Sequence, residues 1–435
     1  MRILITALAP SHLMGMVPFA WAARAAGHDV LAAGRAEVAA TAQQAGLPAA
    51  GIRERQAPRP APAGTAEGEP ALPRMARALS AEQLGRFAGH TWAPGGHPWQ
   101  QRVGRVIDDY LETARAWRPD VILCDPIEFA GLVTGALLDL PVVIHRWGGP
   151  DSMSAEAIDR ARSILDGPAA ALGLRDGIPA PAMTLDPCPP SLRLDATTPV
   201  RSMRYVPYNG ARLTPRWLRE RPSRRRVCVT FGLFGSQAAV SGADFVQGED
   251  PAAQIAAIAR ALESRPDLDV LVTAPEQVRR GLDRLPDGFD VVDHVPLGSA
   301  LGHCDLVIHH GGTGTAMTAA ALGVPQLVLP PEHPALADCA RGVALRGVGR
   351  RLDGADRADP VALRAEITEL LDRTVHREHA QRLAEEISAQ PSPADLVPAL
   401  EECVRDGRPA NGSTRPGSSS RVSRSASPEA TSGRP

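Results

Sequence analysis

The fold is best predicted from the stretch Leu306-Val-Ile-His-His-Gly-Gly-Thr-Gly-Thr315 and the two segments that follow it. The first is an alanine-rich run that stops at Gly323-Val-Pro325, and the second is the apolar run Gln326-Leu-Val-Leu329. An apolar run, a glycine- and threonine-rich turn, a helical stretch and a second apolar run predict a βαβ unit. The turn lies at the amino end of the helix, where unpaired backbone N–H groups and the helix dipole favour an anion. We therefore expect a phosphate-binding loop here.

The residues of this turn suit a diphosphate. Glycines let the backbone approach an anion closely, and threonines add hydroxyl donors. The candidate phosphate ligands are His310, Gly311, Gly312, Thr313, Gly314 and Thr315. A glycine-rich turn that binds nothing is the alternative, since such turns are common in α/β proteins. A histidine directly before the glycines favours phosphate binding, whereas His309 is expected to be structural and to face the other side of the sheet.

The same alternation of strand and helix opens the chain. Arg2-Ile-Leu-Ile-Thr6 predicts a strand, followed by a loop that ends at His12, a helix that stops at Gly27 and a strand over 29–33. A second series of strands and helices begins at Val227. This pattern predicts an α/β protein with two Rossmann-like, doubly wound parallel-sheet domains that face a cleft.

Length and composition limit the classes of function. The chain of 435 residues can form two domains of about 200 residues each. Its net charge of -2 gives no reason to expect nucleic acid or a membrane surface as a partner. The six cysteines form no C-x-x-C pair, so no zinc site or disulfide framework is expected. Without a signal-peptide pattern or a long apolar run, we expect a cytoplasmic protein with no membrane insertion.

Three parts of the sequence resemble the GT-B glycosyltransferases of actinobacteria that attach deoxysugars to macrolide and aromatic polyketide aglycones. They are Ser11 to Val30, the proline-rich crossover Cys188 to Arg193 with Met203 to Gly210, and Val295 to Pro330. The resemblance implies an inverting enzyme that moves a hexose or deoxyhexose from a dTDP-sugar to a hydrophobic acceptor, with no metal or cofactor. The crossover resembles the subgroup that needs an activator protein similar to cytochrome P450, and a homodimer is a further expectation.

The resemblance also implies a division of labour along the chain. The predicted parts are an N-terminal acceptor-binding domain over 1–207, a linker over 208–225, a C-terminal nucleotide-sugar domain over 226–388, a helix over 389–405 that packs back on the N-terminal domain, and a disordered tail over 406–435.

His12 is the candidate general base. A histidine titrates near neutral pH, and a neighbouring carboxylate fixes its tautomer and stabilises its protonated form. Asp125 follows the predicted strand Val121-Ile-Leu-Cys124, so both residues stand at carboxyl ends of strands in one sheet. The family's His/Asp pair maps onto these two positions. A loop histidine bonded to backbone and an aspartate that caps a turn are the alternatives.

Further donor ligands follow from the resemblance. Gly232 and Ser236 follow the first strand of the second domain and would face the phosphates, and Val295 would contact the base through its backbone. Family members commonly carry a sugar-gripping acid near the position that Pro334 occupies here. Glu332 or Asp338 would replace it, or the sugar would lack the hydroxyl concerned.

Apolar and aromatic residues of the first domain are candidates for an acceptor pocket, and the alternative for most of them is an ordinary core position. They are Met14, Phe87, Trp92, Trp99 and Trp147. Two other classes of protein remain open at this point. They are a GT-B nucleotide-sugar epimerase and a non-catalytic homologue that binds sugar nucleotide or aglycone.

Overall fold

The computed structural model describes residues 1–55, 98–150, 154–194, 198–213, 215, 218, 222–232, 250–331 and 334–406. Most of the predicted proline-rich loop and nearly all of the predicted tail lie outside these ranges. Four candidate site residues also lie outside them, namely Phe87, Trp92, Ser236 and Glu332.

Within the described residues, the first half of the chain forms a seven-stranded parallel sheet in the order β3-β2-β1-β4-β5-β6-β7. The strands are β1 (Arg2–Thr6), β2 (Asp29–Gly34), β3 (Ala49–Gly51), β4 (Val121–Cys124), β5 (Val142–His145), β6 (Met183–Asp186) and β7 (Arg201–Ser202). The helices are α1 (Pro10–Ala25), α2 (Ala36–Gln44), α3 (Pro98–Trp117), α4 (Phe129–Leu137) and α5 (Ala155–Ala171).

The second half forms a sheet of six parallel strands in the part of the chain that the structure describes, in the order β10-β9-β8-β11-β12-β13. They are β8 (Arg225–Thr230), β9 (Leu268–Thr273), β10 (Phe289–Val292), β11 (Leu306–His309), β12 (Gln326–Val328) and β13 (Gly349–Arg351). The helices are α6 (Pro251–Leu262), α7 (Glu276–Arg279), α8 (Leu297–Leu301), α9 (Thr313–Ala321), α10 (Pro334–Leu345), α11 (Pro360–Asp372), α12 (Thr374–Ala389) and α13 (Val397–Asp406), with short 3-10 helices at Gly354–Ala358 and Ala394–Leu396. The prediction of two doubly wound parallel sheets is confirmed.

The strand order places the functional loops. In the first sheet β1 lies between β2 and β4, and in the second sheet β8 lies between β9 and β11. The direction of winding reverses at β1 and at β8. Ligands of doubly wound sheets bind beyond the carboxyl ends of the strands at such a reversal. His12 and Asp125 follow β1 and β4, and Gly232 and His310 follow β8 and β11. Both predicted pairs therefore stand at the reversal points.

The last helix belongs to the core of the first sheet. Its buried residues Leu400 and Val404 pack with Phe19 and Ala23 of α1. The chain thus returns to its first half after completing the second sheet. The exact limits of the predicted domains stay a prediction. Among the described helices, none has the length and apolar character needed to cross a membrane.

Three of the element limits that differ from those predicted affect the site. Helix α1 begins at Pro10, so His12 lies in its first turn instead of in a loop. Proline suits the first position of a helix because its missing N–H has no partner there in any case. The sequence predicts a helix over 315–322, but helix α9 begins at Thr313. It also predicts a strand over 290–295, but β10 ends at Val292. Val295 consequently lies in the loop that leads to α8.

Candidate active site

His12 and Asp125 form a close pair. The His12 Nδ1 and the Asp125 Oδ2 are 2.7 Å apart, and the imidazole donates because a carboxylate only accepts. This bond leaves the opposite ring nitrogen, Nε2, for an incoming group. The His12 side chain is 22% exposed, whereas that of Asp125 is fully buried. The pair therefore has one accessible end, and that end is the imidazole.

Backbone donors hold the buried carboxylate in its ionised form. The N–H of Leu8 donates to Oδ2 at 2.9 Å, and the N–H of Ile127 donates to Oδ1 at 3.2 Å. Burial by itself would raise the Asp125 pKa, but the charge of His12, its hydrogen bond and these two backbone donors together lower that pKa below its ordinary value. Asp125 is thus negatively charged beside His12 at neutral pH.

Trp147 is part of the same cluster. Its indole Nε1 donates to the Asp125 Oδ1 at 3.2 Å, and its ring lies 4.4 Å from the His12 ring, centroid to centroid. The sequence predicts Trp147 only as an acceptor ligand, and nothing in it indicates the bond to the carboxylate. Its aromatic face also lies beside the accessible imidazole, so a role in acceptor binding stays a prediction.

The second group of predicted residues surrounds His310. A Cβ placed on Gly232 would lie 3.1 Å from the His310 Cε1, and one placed on Gly312 would lie 2.7 Å from its Nε2. Gly232 also has a φ of +63°, which favours glycine. The His310 imidazole therefore fills the space between two glycines. Gly232 follows β8 and Gly312 follows the adjacent strand β11.

Helix α9 presents its amino end beside His310. Its N-cap is Gly312, and no side chain caps the helix. The N–H groups of Thr313, Gly314 and Thr315 occupy the first turn, where helical N–H groups lack partners within the helix. Together with the helix dipole they form a positive site that suits a diphosphate.

Contacts from the crossover hold this first turn of α9. The carbonyl of Gly314 accepts hydrogen bonds from the Tyr205 hydroxyl at 3.2 Å and from the Thr318 Oγ1 at 2.6 Å. The Asn209 amide donates to Thr318 at 3.2 Å and accepts from the N–H of Gly298 at 2.9 Å. Sequence analysis missed Tyr205 and Asn209 as parts of the site, although two polar side chains in a proline-rich crossover were a usable signal.

The other predicted donor ligands differ in their surroundings. Val295 is buried, and its backbone N–H and C=O make no hydrogen bond with other described residues. Its contact with the nucleotide base stays a prediction. The Asp338 carboxylate lies 3.1 Å from the Arg341 guanidinium on the same helix. A role for Asp338 in sugar binding stays a prediction.

His309 is buried beside the glycine-rich loop. Its Nδ1 accepts a hydrogen bond from the Gly311 N–H at 3.0 Å, and its Nε2 lies 2.9 Å from the Gln326 side chain on the neighbouring strand. These contacts agree with the expected structural role of His309.

A short segment of the first half reaches the start of α9. A Cβ placed on Gly149 would lie 3.0 Å from the Thr313 Oγ1, and one placed on Gly148 would lie 3.5 Å from Met317. Trp147, which stacks on His12, directly precedes these glycines. The His12 cluster and the glycine-rich loop are thus joined by three consecutive residues, and the two predicted groups belong to one cleft.

The predicted acceptor residues do not all lie together. Met14 is half-buried, and its Cε would be 3.9 Å from a Cβ on Gly210, where His294 also approaches. Trp99 is only 3% exposed, and its ring centroid lies 4.6 Å from that of Phe129 within the first core. Trp99 therefore occupies an ordinary core position, which is the alternative to an acceptor ligand. In the described part of the chain, no group of three histidine, cysteine or acidic side chains could hold a metal ion.

Comparison with known proteins shows the family to which the chain belongs. The sequence matches the family models of the erythromycin biosynthesis protein CIII-like N-terminal domain over residues 21–232 and C-terminal domain over residues 259–403. The 10-deoxymethynolide desosaminyltransferase of Streptomyces venezuelae is 33% identical over 442 residues, which cover 94% of this chain and 98% of the relative. The aklavinone 7-beta-L-rhodosaminyltransferase of Streptomyces galilaeus is 32% identical and covers 97% of this chain and 99% of its own.

Solved structures give the same result. The spinosyn rhamnosyltransferase SpnG superposes with a TM-score of 0.76 at 37% identity and covers 92% of this chain and 100% of its own. SpnG has also been solved with thymidine diphosphate and with spinosyn aglycone, each with a TM-score of 0.74 to this chain.

Proposed function

The protein belongs to the erythromycin biosynthesis protein CIII-like family of GT-B glycosyltransferases, and we propose that it moves a hexose or deoxyhexose, with inversion, from a dTDP-sugar to a hydrophobic polyketide or macrolide acceptor. One observation supports this most strongly. The His12–Asp125 pair and the glycine-rich loop meet through Trp147 and Gly149, so that a base stands across one cleft from a diphosphate site. Family membership favours transfer over the epimerase and the non-catalytic alternatives.

His12 supplies the general base in this proposal. Its free Nε2 takes the proton of the acceptor hydroxyl while that oxygen attacks the anomeric carbon of the sugar. The bond from this carbon to the diphosphate breaks on the opposite face, which inverts the configuration in a single displacement. The ionised Asp125 stabilises the imidazolium that forms, and a positioned base of this kind contributes roughly 10²- to 10⁴-fold in rate.

The glycine-rich loop receives the leaving group. The diphosphate gains negative charge as the sugar departs, and donors that are already fixed in place stabilise that charge best. His310 and the N–H groups of Gly312 to Thr315 are these donors, and Gly232 leaves the space for the imidazole. Ser236 and Glu332 remain candidate ligands outside the described residues.

The thymidine nucleotide is proposed from two lines of support. The relative SpnG has been solved with thymidine diphosphate. In this chain, the backbone N–H and C=O of Val295 make no hydrogen bond with other described residues, and as one donor and one acceptor they suit the edge of a pyrimidine base.

The acceptor side is proposed from the relatives and from the residues near His12. The name of one relative specifies a macrolide aglycone, 10-deoxymethynolide, and that of another specifies the polyketide aklavinone. Met14 and Trp147 present apolar surface near His12, which suits such an acceptor. An activator protein, a homodimer and a cytoplasmic location stay proposals that follow from the family resemblance and the sequence.

The proposal is tested by incubating the protein with dTDP-deoxysugars and a panel of macrolactone and anthracyclinone aglycones, with and without an activator candidate. Mass spectrometry should detect an aglycone that has gained one sugar, with one dTDP released per product. The anomeric coupling constant of the product, measured by NMR, should show a configuration opposite to that of the donor. Retained configuration, or donor conversion without any glycosylated product, would contradict the proposal.

A further inference from the structure

His309, the last residue of β11, has a fixed protonation state. Its side chain is completely buried. The Gly311 N–H can only donate, so the His309 Nδ1 that it contacts at 3.0 Å must be the acceptor. The proton therefore lies on Nε2, which is 2.9 Å from the Gln326 Oε1. Burial also lowers the His309 pKa to about 4, so the ring is neutral at physiological pH.

The Gly311 peptide needs this partner. Gly311 has a φ of +94°, and a Cβ at this position would lie only 2.8 Å from the carbonyl oxygen of Leu336 in α10. The loop is thus pressed against α10 in a left-handed conformation, and Gly311 is buried. A buried backbone N–H without an acceptor is costly, so the bond to His309 favours this one conformation.

Gln326 extends the connection to the helix. It begins β12, the strand next to β11, and its Nε2 donates to the carbonyl of Ala316 at 3.2 Å. His309 and Gln326 together therefore link the Gly311 peptide at the start of the loop to α9 at its end. The residues between these two anchors are His310 and the N–H groups of the proposed diphosphate site.

We propose that His309 is a positioning residue that holds the diphosphate loop in its donor-binding conformation before the donor arrives. This inference rests on the proposed function of the loop. His309 itself touches no diphosphate in this account. It orders His310 and the amino end of α9 before the ligand binds. If the ligand had to order these groups, the entropy cost would weaken binding.

Two variants separate the bonds of His309. His309→Asn keeps an acceptor oxygen at the position of Nδ1, so it retains the bond to the Gly311 N–H but does not reach Gln326. His309→Gln reaches Gln326 but places its polar atoms one bond too far out for Gly311. We expect His309→Gln to raise the Kd for dTDP about tenfold or more, and His309→Asn to stay within about threefold of the wild type.

Isothermal titration with dTDP measures these affinities, and steady-state kinetics should show a raised KM for the donor with an unchanged KM for the acceptor. Equal affinity in the wild type and His309→Gln would overturn the inference, as would equal losses in both variants. If His309→Gln did not fold, Gln326→Met, which removes the bonds to both His309 and Ala316, should raise the dTDP Kd. An unchanged Kd in that variant would likewise overturn it.

Hydrogen exchange of the ligand-free protein tests the loop independently of the donor. Peptides that cover 310–316 should exchange faster in His309→Gln than in the wild type and His309→Asn. Equal exchange in all three proteins would contradict the inference. A wild type that protects this loop but binds no dTDP would instead contradict the proposed donor, so the two failures are distinguishable.

Discussion

At the scale of single residues, the chemistry depends on how Asp125 is held. Its two oxygens accept from the backbone of Leu8 and Ile127, from His12 and from the Trp147 indole. The sequence predicted the pair His12 and Asp125, since both follow strands of one sheet. It did not predict Trp147 as their partner, because that bond depends on how the chain turns after β5. Such a contact between distant loops leaves no periodic pattern in the sequence.

Replacing Trp147 by phenylalanine tests this interaction. Trp147→Phe keeps a ring beside His12 but removes one donor from Asp125, which raises the pKa of the carboxyl from its lowered value. The ionised carboxylate is present only above its pKa in the folded protein. When the solution is acidified, the variant should therefore lose activity at a higher pH than the wild type. At pH 7, the loss of a hydrogen bond to a charged group predicts a kcat about tenfold lower.

The pH profile of kcat measures both effects, and the dTDP Kd should not change. Trp21→Phe is the matched control, because it removes an indole hydrogen bond to the Ala45 carbonyl at 2.9 Å, on the opposite end of α1 from His12. Identical pH profiles for Trp147→Phe, Trp21→Phe and the wild type would show that Trp147 does not act on Asp125.

At the scale of elements, strands were the most predictable part of the fold. The runs 2–6 and 121–124 coincide with β1 and β4, because short buried strands are apolar throughout and end abruptly. Helix α4 was not predicted. Nearly all of its residues are buried, so it has no polar face that would reveal a helical period. The start of α9 was placed two residues late, because its first turn consists of glycine and threonine, which are typical of loops.

The crossover should stabilise α9 through Tyr205. Tyr205→Phe removes a buried hydrogen bond to the Gly314 carbonyl, which costs about 1 kcal/mol. We expect a lower midpoint of thermal unfolding and a dTDP Kd that rises about three- to fivefold, because the first turn of α9 is less well fixed. Tyr208→Phe is the control, since the Tyr208 hydroxyl has no hydrogen-bond partner among the described residues. Indistinguishable dTDP affinities for Tyr205→Phe and Tyr208→Phe would contradict this role.

At the scale of the whole molecule, two sheets with the same winding bring their reversal points to one cleft. The sequence predicted both sheets and the residues at each reversal, because these follow from the order of strands and loops. How the halves meet was not predictable, since it depends on single close approaches such as Gly149 to Thr313. The consequence is a division of roles. The proposed base belongs to the first half of the chain, and the proposed diphosphate site belongs to the second.

That division is tested most directly by the effect of His12→Ala on transfer and on donor binding, measured in the same preparation. The transfer rate should fall by roughly 10²- to 10⁴-fold, since a positioned base is lost, while the Kd for dTDP should remain that of the wild type. His310→Ala should instead weaken dTDP binding. If His12→Ala transferred sugar at the wild-type rate, His12 would not be the base.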